Sequence, residues 1–169
     1  STPWCTGGIS YCYYQSMLST DNTTNTVINM TTPEGSNIYS YGNYYNWYSA
    51  TAGNGTRSIS SGTVAGDLCP AGWHLPYGGS ETSEKGGNTS GGFYYLNQQM
   101  GAATGAAGSN NWRSFPNNFV YSGGWYGSSA SSRGYYGNYW SSTVYSSNNA
   151  YYLCFSATGV YPAYSGNYR

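Results

Sequence analysis

The sequence contains very few charged residues. Only 6% of its 169 residues are charged, and five basic residues balance five acidic ones, so the formal net charge at pH 7 is zero. Proteins that bind nucleic acids or anionic membranes do so through clusters of Lys and Arg. We therefore expect no nucleic-acid partner. A chain without net charge also lacks electrostatic repulsion between copies, so a homo-oligomer or filament is a second expectation.

Aliphatic residues are scarce as well. Leu, Ile, Val and Phe together make up 18 of the 169 residues, a level that indicates disorder when the net charge is high. Here 22 Tyr and 6 Trp replace them, and each aromatic side chain can bury roughly 150–250 Å². The composition predicts a folded domain with an aromatic core. No apolar run reaches the roughly 18 residues that a membrane span needs, so we predict no span in this chain.

Residues suited to catalysis are few. The one histidine, His74, lies between Trp73 and Leu75 in a proline-flanked segment, where a packed structural role is more natural than that of a general base. None of the four cysteines has a basic neighbour in sequence that would lower its thiol pKa. Their spacing includes no C-x-x-C pair of the kind that binds zinc. The sequence therefore predicts no catalytic residue, no metal site and no cofactor.

The cysteines instead indicate disulfides. An even number of them, few Lys and Glu, and abundant Tyr, Ser, Asn and Gly are typical of an oxidising environment, so we predict an extracellular or cell-surface protein. Cys5 and Cys12 enclose two glycines that let the chain turn, which predicts a small disulfide loop. We assign this loop to a Thr- and Asn-rich segment, 1–40, that forms one unit with the domain at 41–169.

Two segments have the spacing of short helices, one within residues 41–56 and one over 93–103. The apolar positions that define them are Tyr44, Trp47 and Tyr48 in the first, and Phe93, Leu96 and Met100 in the second. Near the end of the chain, Leu153 and Phe155 alternate with Cys154 and Ser156, which predicts a strand with one buried face. The pattern predicts an α+β fold: one or two short helices, several short antiparallel strands, and long loops rich in Gly, Ser and Asn.

Residues 135–169 consist mostly of Tyr, Ser, Asn, Gly and Ala. Tyr offers a rigid contact area with a hydroxyl group, and Ser, Gly and Asn add adaptable hydrogen bonds, as in antibody paratopes. The same composition also suits edge strands and turns of a neutral scaffold. Composition alone leaves both interpretations open.

Three motifs in order resemble the Fibrobacter succinogenes major paralogous domain family of exported bacterial surface proteins. They are YGNYYNWYSATAG (41–53), SSGTVAGDLCPAGWHLP (60–76) and YWSSTVYSSNNAYYLCFS (139–156). The resemblance implies a C-type-lectin-like fold over residues 41–169. It also implies that Pro70 and Gly72 form a turn, that Trp73 is an anchor of the core, and that Trp47 and Trp140 are structural residues.

Two segments of the family pattern are absent: the usual opening segment and the closing strand with its terminal Cys. The resemblance therefore implies a fragment that lacks its closing strand. The missing Cys would be the natural partner of Cys69, which leaves Cys154 as the remaining partner. The alternation of the last strand disfavours that pairing, because Cys154 then faces away from Leu153 and Phe155.

The third motif is also similar to the variable region of diversity-generating retroelement target proteins, which have a C-type-lectin-like fold. The constant frame of that region corresponds here to Trp140, Ser141, Ser142, Ala150, Leu153 and Phe155. This resemblance implies ligand-binding positions at Tyr145, Asn148, Asn149, Tyr151, Tyr152, Tyr161, Tyr164 and Asn167. The E-P-N and W-N-D triplets of calcium-dependent lectins do not occur, so calcium-dependent sugar binding is not predicted.

Three functional hypotheses follow. The first is a non-enzymatic surface domain for recognition or adhesion, with an unknown protein or glycan ligand at its C-terminal surface. The second is a self-assembling subunit of an extracellular filament or surface layer, in which an open sheet edge accepts a neighbour's strand. The third is an enzyme resembling the formylglycine-generating oxidases, and it requires Cys69 and Cys154 to lie close together as free thiols.

Overall fold

A computed structural model describes residues 44–55, 59–79, 92–126 and 129–166. Helices and antiparallel strands both occur in this part of the chain, which confirms the mixed helix-and-sheet class. The helices are α1 (Trp47–Ala50), α2 (Phe93–Gln99) and α3 (Ala106–Arg113). The strands are β1 (Gly62–Thr63), β2 (Gly124–Tyr126), β3 (Ser129–Ser131), β4 (Tyr136–Val144), β5 (Ala150–Ser156) and β6 (Gly159–Gly166). Cys5, Cys12, the segment 1–40 and Asn167 lie outside the described residues.

Helix α1 is shorter than its aromatic spacing predicts. Asn46 caps it, because its side-chain oxygen accepts a hydrogen bond of 2.7 Å from the Ser49 backbone N–H. The helix therefore begins at Trp47, and Tyr44 lies before it. An Asn at this position favours a helix start because it satisfies an otherwise unpaired N–H group.

Helix α2 lies within the predicted segment, and it ends where Gly101 takes a positive φ of 91°. Helix α3 was not predicted, since its sequence AAGSNNWR contains only one large apolar residue. That residue, Trp112, is fully buried, and its indole N–H donates to the Asn97 side chain of α2 at 3.0 Å. The structure thus has three helices in its described part, where one or two were expected.

Four strands form the main sheet in the order β1-β4-β5-β6, and all neighbours are antiparallel. Strands β2 and β3 form a separate two-stranded ribbon. The ribbon joins the main sheet through a bridge between Gly123 and Gly137. Within the described residues, β4 and β5 are therefore central and β6 lies at an edge.

The two faces of the main sheet pack on different clusters. On one face, Leu153 and Phe155 of β5 pack with Phe93 of α2 and Trp112 of α3. On the other, Ala150 and Val144 pack with Trp47 of α1 and with Val64. Both faces are thus covered over part of their length. As a result β5 is buried on both sides, which corrects the prediction of a single buried face: Tyr152 is only 7% exposed and Cys154 only 9%.

The CPAGWHLP segment forms the expected turn but does not contribute its tryptophan to the core. The Trp73 N–H donates to Pro70 O at 2.9 Å, and Gly72 has a φ of 88°, as in a type II turn. Asp67 closes the loop by accepting hydrogen bonds from the N–H groups of Cys69 and Leu75, both at 2.9 Å. Because these bonds hold the loop, Trp73 need not be buried.

Two structural predictions in this loop are therefore corrected. Trp73 is 76% exposed, so it is not a core anchor. His74 is also exposed rather than packed; its ring stacks on Tyr77 with centroids 5.0 Å apart. Trp47, in contrast, is fully buried and donates to Ser141 O at 2.7 Å, and Trp140 packs against the same cluster.

Candidate binding face

A row of aromatic side chains crosses the main sheet on the face that also carries Trp47. Strand register places Trp140 of β4 opposite Tyr152 of β5, and Tyr152 opposite Tyr164 of β6. Each pair of rings meets edge to face, with centroids 5.5 Å apart in the first pair and 5.3 Å in the second. Edge-to-face packing of this kind fixes ring orientation and stabilises beyond simple burial.

A bulge in β6 brings a further tyrosine to this face. Between two paired positions β5 advances by two residues, from Tyr152 to Cys154, whereas β6 advances by three, from Tyr164 to Tyr161. In a regular strand, residues three apart would face opposite sides. The extra residue restores Tyr161 to the face of Tyr164, and their ring centroids lie 5.8 Å apart.

Strand β4 contributes another exposed ring at the far end of the face. Alternation along β4 places Tyr136 and Asn138 on the same side as Trp140. Gly137 points the other way, because a Cβ atom there would come within 2.2 Å of the Phe155 ring in the opposite cluster. We call this face the aromatic platform. Its rings are Tyr136, Trp140, Tyr152, Tyr161 and Tyr164, and its polar floor is Asn138 and Ser156.

The rings differ in how much of each a ligand can reach. Tyr161 is 53% exposed, Tyr164 48% and Tyr136 45%, whereas Tyr152 is buried beneath its neighbours. The Tyr161 ring lies along its own strand, so that a Cβ atom on Gly159 would be 3.1 Å from it. The platform therefore presents three accessible rings on the paired strands β4, β5 and β6.

The floor of the platform consists of uncharged polar groups. Asn138 donates its backbone N–H to Ser122 Oγ at 3.4 Å and its side-chain N–H to Gly123 O at 3.2 Å. Asn138 is the donor in both bonds, so its side-chain oxygen Oδ1 takes part in neither. Ser156 Oγ accepts from the Thr158 N–H at 3.3 Å. Asn138 and Ser156 are thus held in place while keeping hydrogen-bonding capacity.

The predicted ligand-binding residues do not form one surface. Tyr152, Tyr161 and Tyr164 belong to the platform. Tyr145, Asn148 and Asn149 lie at the hairpin between β4 and β5, where the Tyr145 N–H donates to Asn149 O at 3.0 Å. Tyr151 alternates with Tyr152 and packs edge to face on Tyr145, with centroids 5.3 Å apart.

The set thus separates into a platform group and a hairpin group on different parts of the sheet. Sequence reasoning missed Tyr136 and Asn138. The period-two spacing Tyr136, Asn138, Trp140 was the available signal, but without the strand register nothing linked it to β5 and β6.

The two described thiols are free and do not pair. Cys154 lies in β5 opposite Asn138. The loop of Cys69 is anchored near the other end of β4, where the Ser142 N–H donates to Pro76 O at 2.9 Å. Because both thiols are free, the disulfides expected at Cys69 and Cys154, including a pairing between them, are corrected.

Both thiols are also poorly suited to nucleophilic chemistry. Burial raises the pKa of Cys154. The pKa of Cys69 rises to about 11, first because of burial and then because of the adjacent Asp67 carboxylate. A nucleophilic cysteine requires a lowered pKa, since the thiolate is the reactive form. The raised pKa values of both thiols do not provide the reactive cysteine pair that an oxidase of the third hypothesis requires.

In the described part of the chain, no three His, Cys, Asp or Glu side chains come together as a group able to hold a metal ion. The helices described there lack the combination of length and hydropathy that crossing a bilayer requires.

No protein-family model, curated protein or solved structure matches this chain.

Proposed function

We propose that this chain is a non-enzymatic recognition domain of the bacterial cell surface, with a C-type-lectin-like arrangement, and that it binds its ligand through the aromatic platform. The observation that carries the proposal is the bulge in β6, which brings Tyr161 and Tyr164 to one face and leaves each about half exposed. Exposed, rigid tyrosines supply contact area at low cost in conformational entropy. The sequence motifs of residues 41–156 support the surface location and the lectin-like arrangement.

Self-assembly through the edge of the sheet is less well supported. Strand β6 is the longer of the two edge strands among the described residues, and it contains both the bulge and Pro162. Proline has no N–H to donate, and bulges twist an edge away from a flat pairing geometry; natural proteins use both to prevent edge-to-edge pairing. These features favour recognition by the face of the sheet over strand addition at its edge.

An array experiment tests the proposal. The purified chain is applied to arrays of bacterial and host surface proteins and of glycans, beside the double variant Tyr161→Ala/Tyr164→Ala. The expected result is at least one bound array component that the double variant no longer binds. Tyr126→Ala is the matched control, since Tyr126 is 42% exposed but lies on the β2–β3 ribbon.

Circular dichroism and thermal unfolding establish that all variants are folded. Equal binding by the wild type and the double variant would contradict the proposal. Sedimentation velocity at rising protein concentration tests the alternative: assembly that persists in the double variant would favour a structural subunit.

A further inference from the structure

We infer that the aromatic platform binds an uncharged saccharide by stacking it on Tyr161 and Tyr164. This inference deepens the proposed function and rests on it, since it names the ligand class of the same face. It depends on three properties of the platform: the accessible rings, the uncharged floor, and the size of the face.

The accessible rings fit the apolar face of a sugar. The face of an aromatic ring carries partial negative charge, so it attracts the positively polarised C–H groups on one side of a pyranose ring. Tyr161 and Tyr164 have centroids 5.8 Å apart, with planes inclined by 57°. The two rings therefore present adjoining surfaces at different inclinations. Such a pair fits a non-planar sugar ring better than it fits a planar nucleobase.

The polar groups of the floor match sugar hydroxyl groups. Asn138 contributes an amide whose Oδ1 is outside its two donor bonds, and Ser156 contributes a hydroxyl. Amides and hydroxyls both donate and accept, as sugar hydroxyls do. Because neither group is charged, this floor offers no ion pair to a carboxylate or a phosphate on the ligand.

The distribution of charge disfavours the other ligands that stack on aromatic rings. A single-stranded nucleic acid needs a positively charged groove for its phosphates as well as stacking rings. The two arginines of the described residues are already engaged elsewhere. Arg113 lies over the Tyr121 ring at 4.3 Å, and Arg133 donates from Nε to the Tyr44 hydroxyl at 2.6 Å. An uncharged ligand is the one that this surface complements.

The size of the face suits a short segment of a glycan. Three neighbouring strands span about 10 Å, and the four steps along the strand from Tyr136 to Trp140 span about 13 Å. A face of these dimensions accommodates two or three sugar units. Tyr136, 45% exposed at the far end, is placed to contact a unit beyond those stacked on Tyr161 and Tyr164.

Isothermal titration calorimetry tests the inference with defined hexasaccharides. The uncharged probes are cellohexaose, xylohexaose and mannohexaose; the charged probes are hexagalacturonate and a thymidine hexanucleotide. We expect at least one uncharged hexasaccharide to bind and neither charged probe to bind. Addition of EDTA should leave the affinity for the bound hexasaccharide unchanged. Tyr161→Ala and Tyr164→Ala are each expected to weaken binding about tenfold, the loss of one stacking contact.

Conservative and control variants separate stacking from loss of fold. Tyr161→Phe and Tyr164→Phe retain the ring, so binding within about threefold of the wild type is expected. Tyr126→Ala should bind like the wild type. Absence of binding to all three uncharged probes, or equal binding by the alanine variants, would overturn the inference.

The array experiment distinguishes a failure of the saccharide inference from a failure of the proposed recognition function. If a protein on the array is bound through the platform and no saccharide binds, the recognition function stands and the ligand class is wrong. If nothing depends on Tyr161 and Tyr164 in either experiment, both proposals are wrong.

Discussion

Trp47 and Trp73 show how two tryptophans in turn-rich segments reach opposite environments. Trp47 is the first residue of α1 and follows the capping Asn46. It packs against the sheet, and its indole N–H donates to Ser141 O. Trp73 follows a glycine turn whose loop is closed by Asp67, and it is 76% exposed. The sequence motifs implied a structural role for both and a place in the core for Trp73. The hydrogen bonds that make burial of Trp73 unnecessary depend on the folded loop, so the sequence did not reveal them.

Substitution of these two residues should give very different losses of stability. Trp47→Ala removes a fully buried ring and leaves Ser141 O without its donor, so we expect the free energy of unfolding to fall by about 3–5 kcal/mol. Trp73→Ala removes a mostly exposed ring and should change it by no more than about 0.5 kcal/mol. Urea unfolding measures both. Comparable losses would mean that Trp73 is packed after all.

Cys69 should be unreactive at neutral pH because its pKa is about 11. The raised pKa means that the folded protein favours the neutral thiol. The stability that the neutral Cys69 thiol gives the folded state is complete below pH 9.0, the ordinary pKa of a cysteine thiol. It is lost as the pH rises through about 11, the pKa of Cys69 in the folded protein. Alkylation by iodoacetamide, followed by peptide mapping of Cys69, should be slow at pH 8 and accelerate above pH 10.

The Asp67→Asn variant tests whether the Asp67 carboxylate contributes to the raised pKa of Cys69. Removing the carboxylate charge should lower the pKa of Cys69 and speed its alkylation at pH 8, after correction for any change in stability. The Cys154→Ser variant serves as the control and should leave the Cys69 rate unchanged. Rapid alkylation of Cys69 in the wild type at pH 8 would contradict this account.

At the level of elements, sequence periodicity predicted helix α2 and strand β5 but not α3 or the bulge in β6. Leu153 and Phe155 alternate as a strand should, and Phe93 and Leu96 have helical spacing. Helix α3 has no such stripe, since Trp112 is its single large apolar residue. Bulges arise from pairing between strands, so the local sequence of β6 does not reveal that Tyr161 and Tyr164 share a face.

Gly137 fixes how closely β4 and β5 pack against the helices. A Cβ atom at this position would approach the Phe155 ring to 2.2 Å, so Gly137→Ala should lower the free energy of unfolding by about 1–3 kcal/mol through overpacking. Phe155→Leu shortens the side chain that the added methyl group of Gly137→Ala would meet. The double variant should therefore lose less stability than the sum of the two single losses, which chemical denaturation measures. Strictly additive losses would contradict the contact.

For the whole molecule, the main lesson is that the sheet has two different faces. One face packs on α2 and α3 through Leu153 and Phe155, and the other carries α1 and the aromatic platform. Residue spacing correctly predicted a mixed helix-and-sheet fold, and composition predicted its aromatic packing. Neither could divide the tyrosines between the platform and the hairpin, since that division depends on strand register and on one additional residue in β6.

The central claim is that the ligand is bound by the platform and not by the hairpin group. Proton–carbon NMR spectra of the chain with carbon-13-labelled tyrosine rings test it most directly, with an array-identified ligand as titrant. The expected result is perturbation of the Tyr136, Tyr161 and Tyr164 ring signals, while those of Tyr126 and Tyr145 remain in place. Perturbation confined to Tyr145 and Tyr151 would place the ligand at the hairpin and contradict the account.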